Sequence, residues 1–117
     1  MKVNIIRKQS IVDYAVASNS RKSFEDWVNK ALYADWNSTN DIKKTFGSAD
    51  ILGENCHRIV FNIAGNNYRM ICKYKFGKIV KNKKPSVHLF VCWIGTHAEY
   101  DELCARRLQY TINLYKK

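Results

Sequence analysis

The chain has 117 residues, a formal net charge of +10 and 46% hydrophobic residues. This length is typical of a single domain with one hydrophobic core, and the hydrophobic fraction argues against disorder. The first residues, MKVNIIRKQS, lack the apolar stretch of a secretory signal, and no apolar run approaches the ~20 residues that span a bilayer. We therefore expect one domain over residues 1–117, located in the cytoplasm without membrane attachment.

The four cysteines, at positions 56, 72, 92 and 104, give no close pair of the kind that begins a zinc site. Cys72 and Cys92 lie inside apolar runs, where a thiol usually packs as a small hydrophobic group. We expect reduced, buried thiols and neither a metal nor a cofactor.

The first half of the chain predicts an edge strand followed by helices. Met1 to Ile6 alternates as a short strand, and Lys8 to Asn19 has helical spacing of its apolar residues. Ser23 and Asp26 have the spacing of a capping box at the start of a second helix. A third, short helix is predicted from Asn40 to Phe46. The clearest helical stripe follows Ser23, and we expect its members to lie in the core: Phe24, Trp27, Val28, Ala31 and Leu32.

The second half changes to the two-residue period of strands. Alternation predicts strands over Arg58 to Ile63 and Tyr68 to Phe76, joined by a turn. The run from Val87 to Ile94 is apolar on both faces, which predicts a central strand. A last helix begins near Thr96, with an inward stripe expected to continue to Thr111. The order β-α-α-(α)-β-β-β-α predicts an α+β fold in which helices pack on one face of an antiparallel sheet and leave the other partly open.

Positive charge is concentrated on this predicted sheet. Residues 54–117 carry twelve Lys and Arg against four Asp and Glu. Arg69, Lys73 and Lys75 share one face of their strand, and Arg58 lies on the neighbouring strand. A basic sheet face commonly binds nucleic acid. We expect Arg58, Lys73 and Lys75 to contact RNA, and the lysine-rich loop from Gly77 to Ser86 to be solvated.

The run GTHAEYD, from Gly95 to Asp101, carries the chemistry. Thr96 and Glu99 have capping-box spacing, which places His97 in the first turn of a helix, where the dipole attracts anions. Tyr100 lies three residues further on the same face. RNA is cut without metal when a base activates the 2′-hydroxyl and cations stabilise the phosphate. We expect His97 as the base, Tyr100 as acid or hydrogen-bond donor and Arg69 as the phosphate ligand.

These motifs resemble the HigB family of type II toxin–antitoxin toxins. The similarity extends in order from about Ile5 to Asp101 and rests on Trp36, DIKKTF, SAD, RIVFNIAGNNYRMI and GTHAEYD. It implies a RelE-like antiparallel sheet with N-terminal helices on one face and a C-terminal helix. It also implies catalytic roles for Arg69, His97 and Tyr100, and a shaping role for Asn66 and Asn67. The loop from Gly77 to Ser86 and the tail from Arg106 to Lys117 look longer than is usual in the family.

The resemblance further implies a ribosome-dependent mRNA interferase that is neutralised by a HigA-like helix-turn-helix antitoxin. Two other functions stay open at this point: a non-catalytic RNA- or ribosome-binding module, and a gyrase-poisoning toxin on the same general fold. The pairing of His97 with Tyr100 favours the nuclease, because phosphate binding alone needs neither residue.

Overall fold

A computed structural model describes residues 1–115 as an α+β fold with one five-stranded sheet. The helices are α1 (Lys8–Ala17), α2 (Arg21–Leu32), α3 (Thr39–Thr45) and α4 (His97–Ala105). The strands are β1 (Lys2–Ile6), β2 (Asp50–Ile51), β3 (Arg58–Ile63), β4 (Tyr68–Phe76) and β5 (Ser86–Thr96). The sheet order is β1-β5-β4-β3-β2; β1 pairs in parallel with β5, and the other pairs are antiparallel. The predicted fold class is confirmed, with β1 at the sheet edge as expected.

The main core lies between the sheet and the N-terminal helices. Phe24, Trp27 and Ala31 of α2 are buried there, as their spacing predicts. They meet the inward residues of the strands, among them Phe61 and Met70. We call this side of the sheet the helical face, and the opposite side the second face.

The second face carries a smaller apolar cluster. Val60, Ile71, Cys92 and Trp93 of the sheet pack there against Leu103 of α4. Cys72 lies in the main core instead. Cys72 and Cys92 are both buried free thiols, as the sequence predicts. Among residues 1–115, no helix is long and apolar enough to cross a membrane.

Two predicted helix details are wrong. Helix α2 begins at Arg21, so Ser23 already lies inside its first turn and forms no cap; Asp26 instead accepts a hydrogen bond from Lys22 Nζ at 2.8 Å. Helix α4 ends at Ala105, and Arg107 has a left-handed φ of 55°. The inward stripe predicted to reach Thr111 therefore ends early, since turns replace the helix.

The C-terminal segment, residues 106–115, crosses the second face and ends at Tyr115, which packs against the main core. Leu108 and Ile112 pack against the smaller cluster. At its far end, Leu114 N donates to Cys92 O at 2.8 Å on β5. Lys116 and Lys117, which end the tail noted in the sequence, lie outside the described residues. The segment divides the second face into two regions. One lies near α4, and the other lies at the Phe76 end of β4 and the Ser86 end of β5.

A β-bulge in β5 changes which residues reach the second face. Ile71 of β4 is opposite Trp93, but the next residue, Cys72, is opposite Val91. The extra residue reverses the alternation of β5, because side-chain direction has a period of two residues. Trp93 and Gly95 consequently lie on the second face beside Arg69, which is the register partner of Gly95.

Candidate active site

The site forms where β5 runs into α4. The capping box predicted from the sequence is present: Thr96 Oγ1 accepts from Glu99 N at 3.2 Å, and Glu99 Oε1 accepts from Thr96 N at 2.7 Å. His97 N donates to Asn67 O at 3.0 Å, which joins the start of α4 to the β3–β4 turn. The capping box and this hydrogen bond together fix the backbone position of His97.

His97 forms an ion-pair geometry with Asp101 one turn along α4. Nδ1 lies 3.0 Å from Asp101 Oδ2, and the imidazole side chain is 42% exposed. A carboxylate on Nδ1 favours the tautomer with its proton on that nitrogen. The other ring nitrogen, Nε2, is then the one that accepts a proton, on a ring that a substrate can reach.

Arg69 is held in place by the turn that precedes its strand. Its Nη2 donates to Asn66 Oδ1 at 2.7 Å, and its Nη1 lies 3.3 Å from the carbonyl oxygens of both Asn66 and Tyr68. A guanidinium has five N–H donors, so about two stay available for a ligand. Asn66 thus orients the arginine, in agreement with the shaping role that the family resemblance implies for it.

Tyr100 is half-buried between the sheet and α4. Its ring packs against Trp93 with centroids 6.0 Å apart. Burial raises the pKa of the Tyr100 phenol, the Cys104 thiol and the Asp50 carboxylate raise it further, and the Arg69 guanidinium opposes them. The Tyr100 phenol is therefore protonated at neutral pH.

Gly95 provides the room for Trp93. A Cβ on Gly95 would collide with the six-membered ring of Trp93 and would lie 3.1 Å from Glu99 Oε1. Trp93 is only 7% exposed, and its six-membered ring lies close to Gly95 while packing against the ring of Tyr100. Glycine is required here for close packing.

The structure separates the other predicted cations from this cluster. Arg58 is 6% exposed, and its Nη1 donates to Ile112 O at 2.7 Å and to Gln109 O at 3.2 Å. The expectation that Arg58 contacts RNA is therefore wrong in this arrangement, because the C-terminal segment covers the side chain and occupies its donors. Lys73 and Lys75 are exposed, but lie four and six residues along β4 from Arg69, on the order of 13 and 20 Å.

The sequence also matches a known family. The model of the HigB toxin family, described as the RelE-like toxic component of a toxin–antitoxin system, matches residues 20–103. The chain belongs to this family. It is accordingly a toxin of a toxin–antitoxin system, and the family implies an antitoxin partner. No individual curated protein matches the chain significantly.

Sequence reasoning did not assign roles to four residues of this site. Asp101 stands four residues after His97, and that helical spacing is the signal by which the pair was recognisable. Asp50 and Trp93 gave no such signal, because their proximity to Tyr100 depends on sheet register and on the bulge. Gly95 was noted only as part of a motif.

Proposed function

We propose that this toxin is a metal-independent endoribonuclease that cuts mRNA on the ribosome. The observation that carries the proposal is the convergence of a His97–Asp101 pair, a protonated phenol and an anchored arginine at the N-terminus of α4. A surface that only binds phosphate has no use for an imidazole oriented by a carboxylate. The gyrase-poisoning alternative likewise gives this cluster no role.

His97 is proposed as the general base. Nε2 takes the proton of the 2′-hydroxyl while that oxygen forms a bond to the adjacent phosphorus, and Asp101 stabilises the imidazolium that results. The bond from phosphorus to the 5′-oxygen then breaks. The leaving oxygen takes a proton from solvent, which the exposed site admits, and the products are a 2′,3′-cyclic phosphate and a 5′-hydroxyl.

Arg69 and Tyr100 are proposed to stabilise the charge that develops on phosphorus. The free donors of Arg69 suit two phosphate oxygens at once. Tyr100 donates its hydroxyl proton as a hydrogen bond, because a phenol with a raised pKa holds that proton through the reaction. Of the two roles that the sequence left open for Tyr100, we therefore propose the donor role.

The openness of the site supports dependence on the ribosome. His97 is 42% and Asp101 65% exposed, so the catalytic pair lies on a surface rather than inside a cleft that would fix an RNA strand. Placing a 2′-hydroxyl in line with its phosphate is worth several kcal/mol, roughly 7–11 for well-oriented groups. We propose that the ribosome supplies this orientation by holding the mRNA in a defined conformation.

The proposed partner is a HigA-like helix-turn-helix antitoxin, and the proposed location is the cytoplasm, where translated mRNA is found. The chain's net charge of +10 favours a partner with an acidic surface, which also speeds association. Co-expression with the product of the neighbouring gene is expected to restore growth and yield a stable complex.

The test is single-turnover cleavage on programmed ribosomes, measured beside a ribosome-binding titration. His97→Ala is expected to slow cleavage by ~10²–10⁴-fold with binding retained, since a base acts in the chemical step. Arg69→Ala should weaken both, because it holds phosphate before the reaction. Asp101→Asn should slow cleavage by about tenfold or more, whereas Glu102→Gln, its exposed neighbour, should not.

The proposal fails if His97→Ala cleaves within a few-fold of the unmodified chain. It fails equally if induction arrests growth while translated mRNA stays intact, a result that would favour the binding module. Cleavage of free RNA at the same rate as ribosome-bound mRNA would remove the ribosome from the proposal and leave the nuclease.

A further inference from the structure

Two neighbouring cross-strand rows of the second face each place a lysine beside a ring. Lys73 of β4 is the register partner of Phe90 on β5, and Lys75 is the partner of His88. The Phe90 and His88 rings contact each other with centroids 6.1 Å apart. Both lysines are exposed and both rings are partly exposed. We call these four residues the stacking patch.

The C-terminal segment separates the stacking patch from the candidate active site. Arg58 binds the carbonyl groups of Gln109 and Ile112 in the segment, and Arg58 is the register partner of Lys73. The edge of the covered area therefore lies at the row formed by Lys73 and Phe90. The residues that pack beneath the segment, including Ile71 and Cys92, lie on the α4 side of that row. The patch is thus a part of the second face that lies outside the area under the described segment and α4.

Charge on this region is of one sign. The strand residues of β1 that share the face next to the patch are Lys2, Asn4 and Ile6, and none of the patch residues or these three is acidic. Asp35 forms a β-bridge with Lys2, and its carboxylate is bound by the amino group of Met1. The surface is complementary to a polyanion.

The rings specify which polyanion. Lysines alone suffice to bind a phosphate backbone, but adjacent aromatic rings on an exposed sheet face add a surface on which bases stack. The bases of a duplex are already stacked on each other and present no free face. Because successive outward residues of a strand are ~6.6 Å apart, the two rings are spaced to receive neighbouring bases of an unpaired strand.

We propose that the stacking patch binds single-stranded RNA, with two successive bases on Phe90 and His88 and the adjoining phosphates on Lys73 and Lys75. The patch lies roughly 13–20 Å along β4 from Arg69, so the flanking nucleotides of an RNA strand in the candidate active site can reach the patch by passing over the C-terminal segment. The binding itself does not require that the chain cleave RNA.

The experiment measures fluorescence anisotropy of a labelled, single-stranded 2′-O-methyl RNA of about twelve nucleotides, which lacks the attacking hydroxyl. Phe90→Leu and His88→Ala are each expected to weaken binding by about fivefold to a hundredfold, the range for loss of one base–aromatic contact. Phe90→Trp should retain it. The matched control is Tyr33→Leu, since Tyr33 is 91% exposed and lies outside the patch at the end of α2.

Three further results complete the test. Lys75→Ala should lower the slope of log affinity against log salt by about 0.7, and the same RNA annealed to its complement should bind independently of Phe90. Thermal melting of each variant verifies folding, and His88→Ala remains informative if Phe90→Leu is unstable. The proposal is wrong if both ring variants bind as tightly as the unmodified chain while the lysine variant does not, since the surface is then purely electrostatic.

It is also wrong if the ring variants weaken the complex with the antitoxin and leave RNA binding unchanged, because the patch is then a protein interface. Failure here is distinguishable from failure of the proposed nuclease. Cleavage depends on His97, and its loss leaves binding of the methylated strand intact.

Discussion

Replacing Arg58 with methionine tests whether this residue holds the C-terminal segment against the sheet. Nη1 makes one short bond to Ile112 O at 2.7 Å and a longer one to Gln109 O at 3.2 Å, in a side chain that is 6% exposed. A hydrogen bond from a charged donor contributes about 1.5–3 kcal/mol. Arg58→Met keeps the apolar stem, so we expect the free energy of unfolding to fall by about 2–4 kcal/mol.

Thermal and urea unfolding measure this loss. For a domain of this size 1 kcal/mol corresponds to a change in Tm of about 4 °C, so the variant should melt ~8–16 °C lower. The control is Lys73→Met, the exposed cross-strand neighbour of Arg58, whose unfolding free energy should change by less than about 0.5 kcal/mol. Combining Arg58→Met with Ile112→Ala should give a coupling energy above about 0.5 kcal/mol.

A melting temperature of Arg58→Met within about 2 °C of the unmodified chain would refute the role assigned to the arginine. The same role would be refuted if Arg58→Met changed the salt dependence of RNA binding by the amount expected for the loss of one phosphate contact. That result would place Arg58 on the RNA, as the sequence alone suggested, and would require the C-terminal segment to move away from it.

Two other predictions concern Gly95 and the partly buried tyrosines. Gly95→Ala should lower the free energy of unfolding by about 1–3 kcal/mol and shift tryptophan fluorescence, because the added Cβ displaces Trp93. The control is Gly47→Ala, since a Cβ on Gly47 meets open space. Equal effects of the two substitutions in urea unfolding would contradict the argument. Burial raises the pKa values of these tyrosines, so their contribution to stability is fully present below pH ~10 and falls above it, because the unfolded chain ionises first. Between about pH 8 and 11, the free energy of unfolding should therefore fall less in Tyr100→Phe than in the unmodified chain. An identical fall in both proteins would contradict the raised pKa of Tyr100. The affected tyrosines are Tyr14, Tyr74, Tyr100 and Tyr115.

Local pattern was sufficient for the elements that place the site. The period-two alternation of β3 and β4 and the apolar stripe of α2 give the sheet and its helical layer, and the capping box fixes the start of α4. These signals are readable because each one relates residues that are near in sequence. The roles of His97, Tyr100 and Arg69 in catalysis stay predictions, although the structure brings the three residues to one region.

The C-terminal segment was not predictable in the same way. It has no regular period after Ala105, and its position depends on carbonyl groups, which every sequence provides equally. Arg58 therefore looked like one more basic residue of an open face. Only the path of the segment shows that the Arg58 guanidinium binds carbonyl groups of the same chain, and that the exposed basic surface begins at Lys73.

The bulge in β5 determines which residues surround the proposed catalytic residues. With regular alternation from Val87, Leu89 and Val91, residue 93 would face the main core and residue 94 the second face; the extra residue reverses both. Trp93 then supports Tyr100, and Gly95 leaves room beside Arg69. An all-apolar strand hides such a reversal, since every residue of it fits either face. The position of the supporting residues therefore depends on strand pairing, whereas His97 and Tyr100, for which catalytic roles are proposed, are visible in the motif that follows the strand.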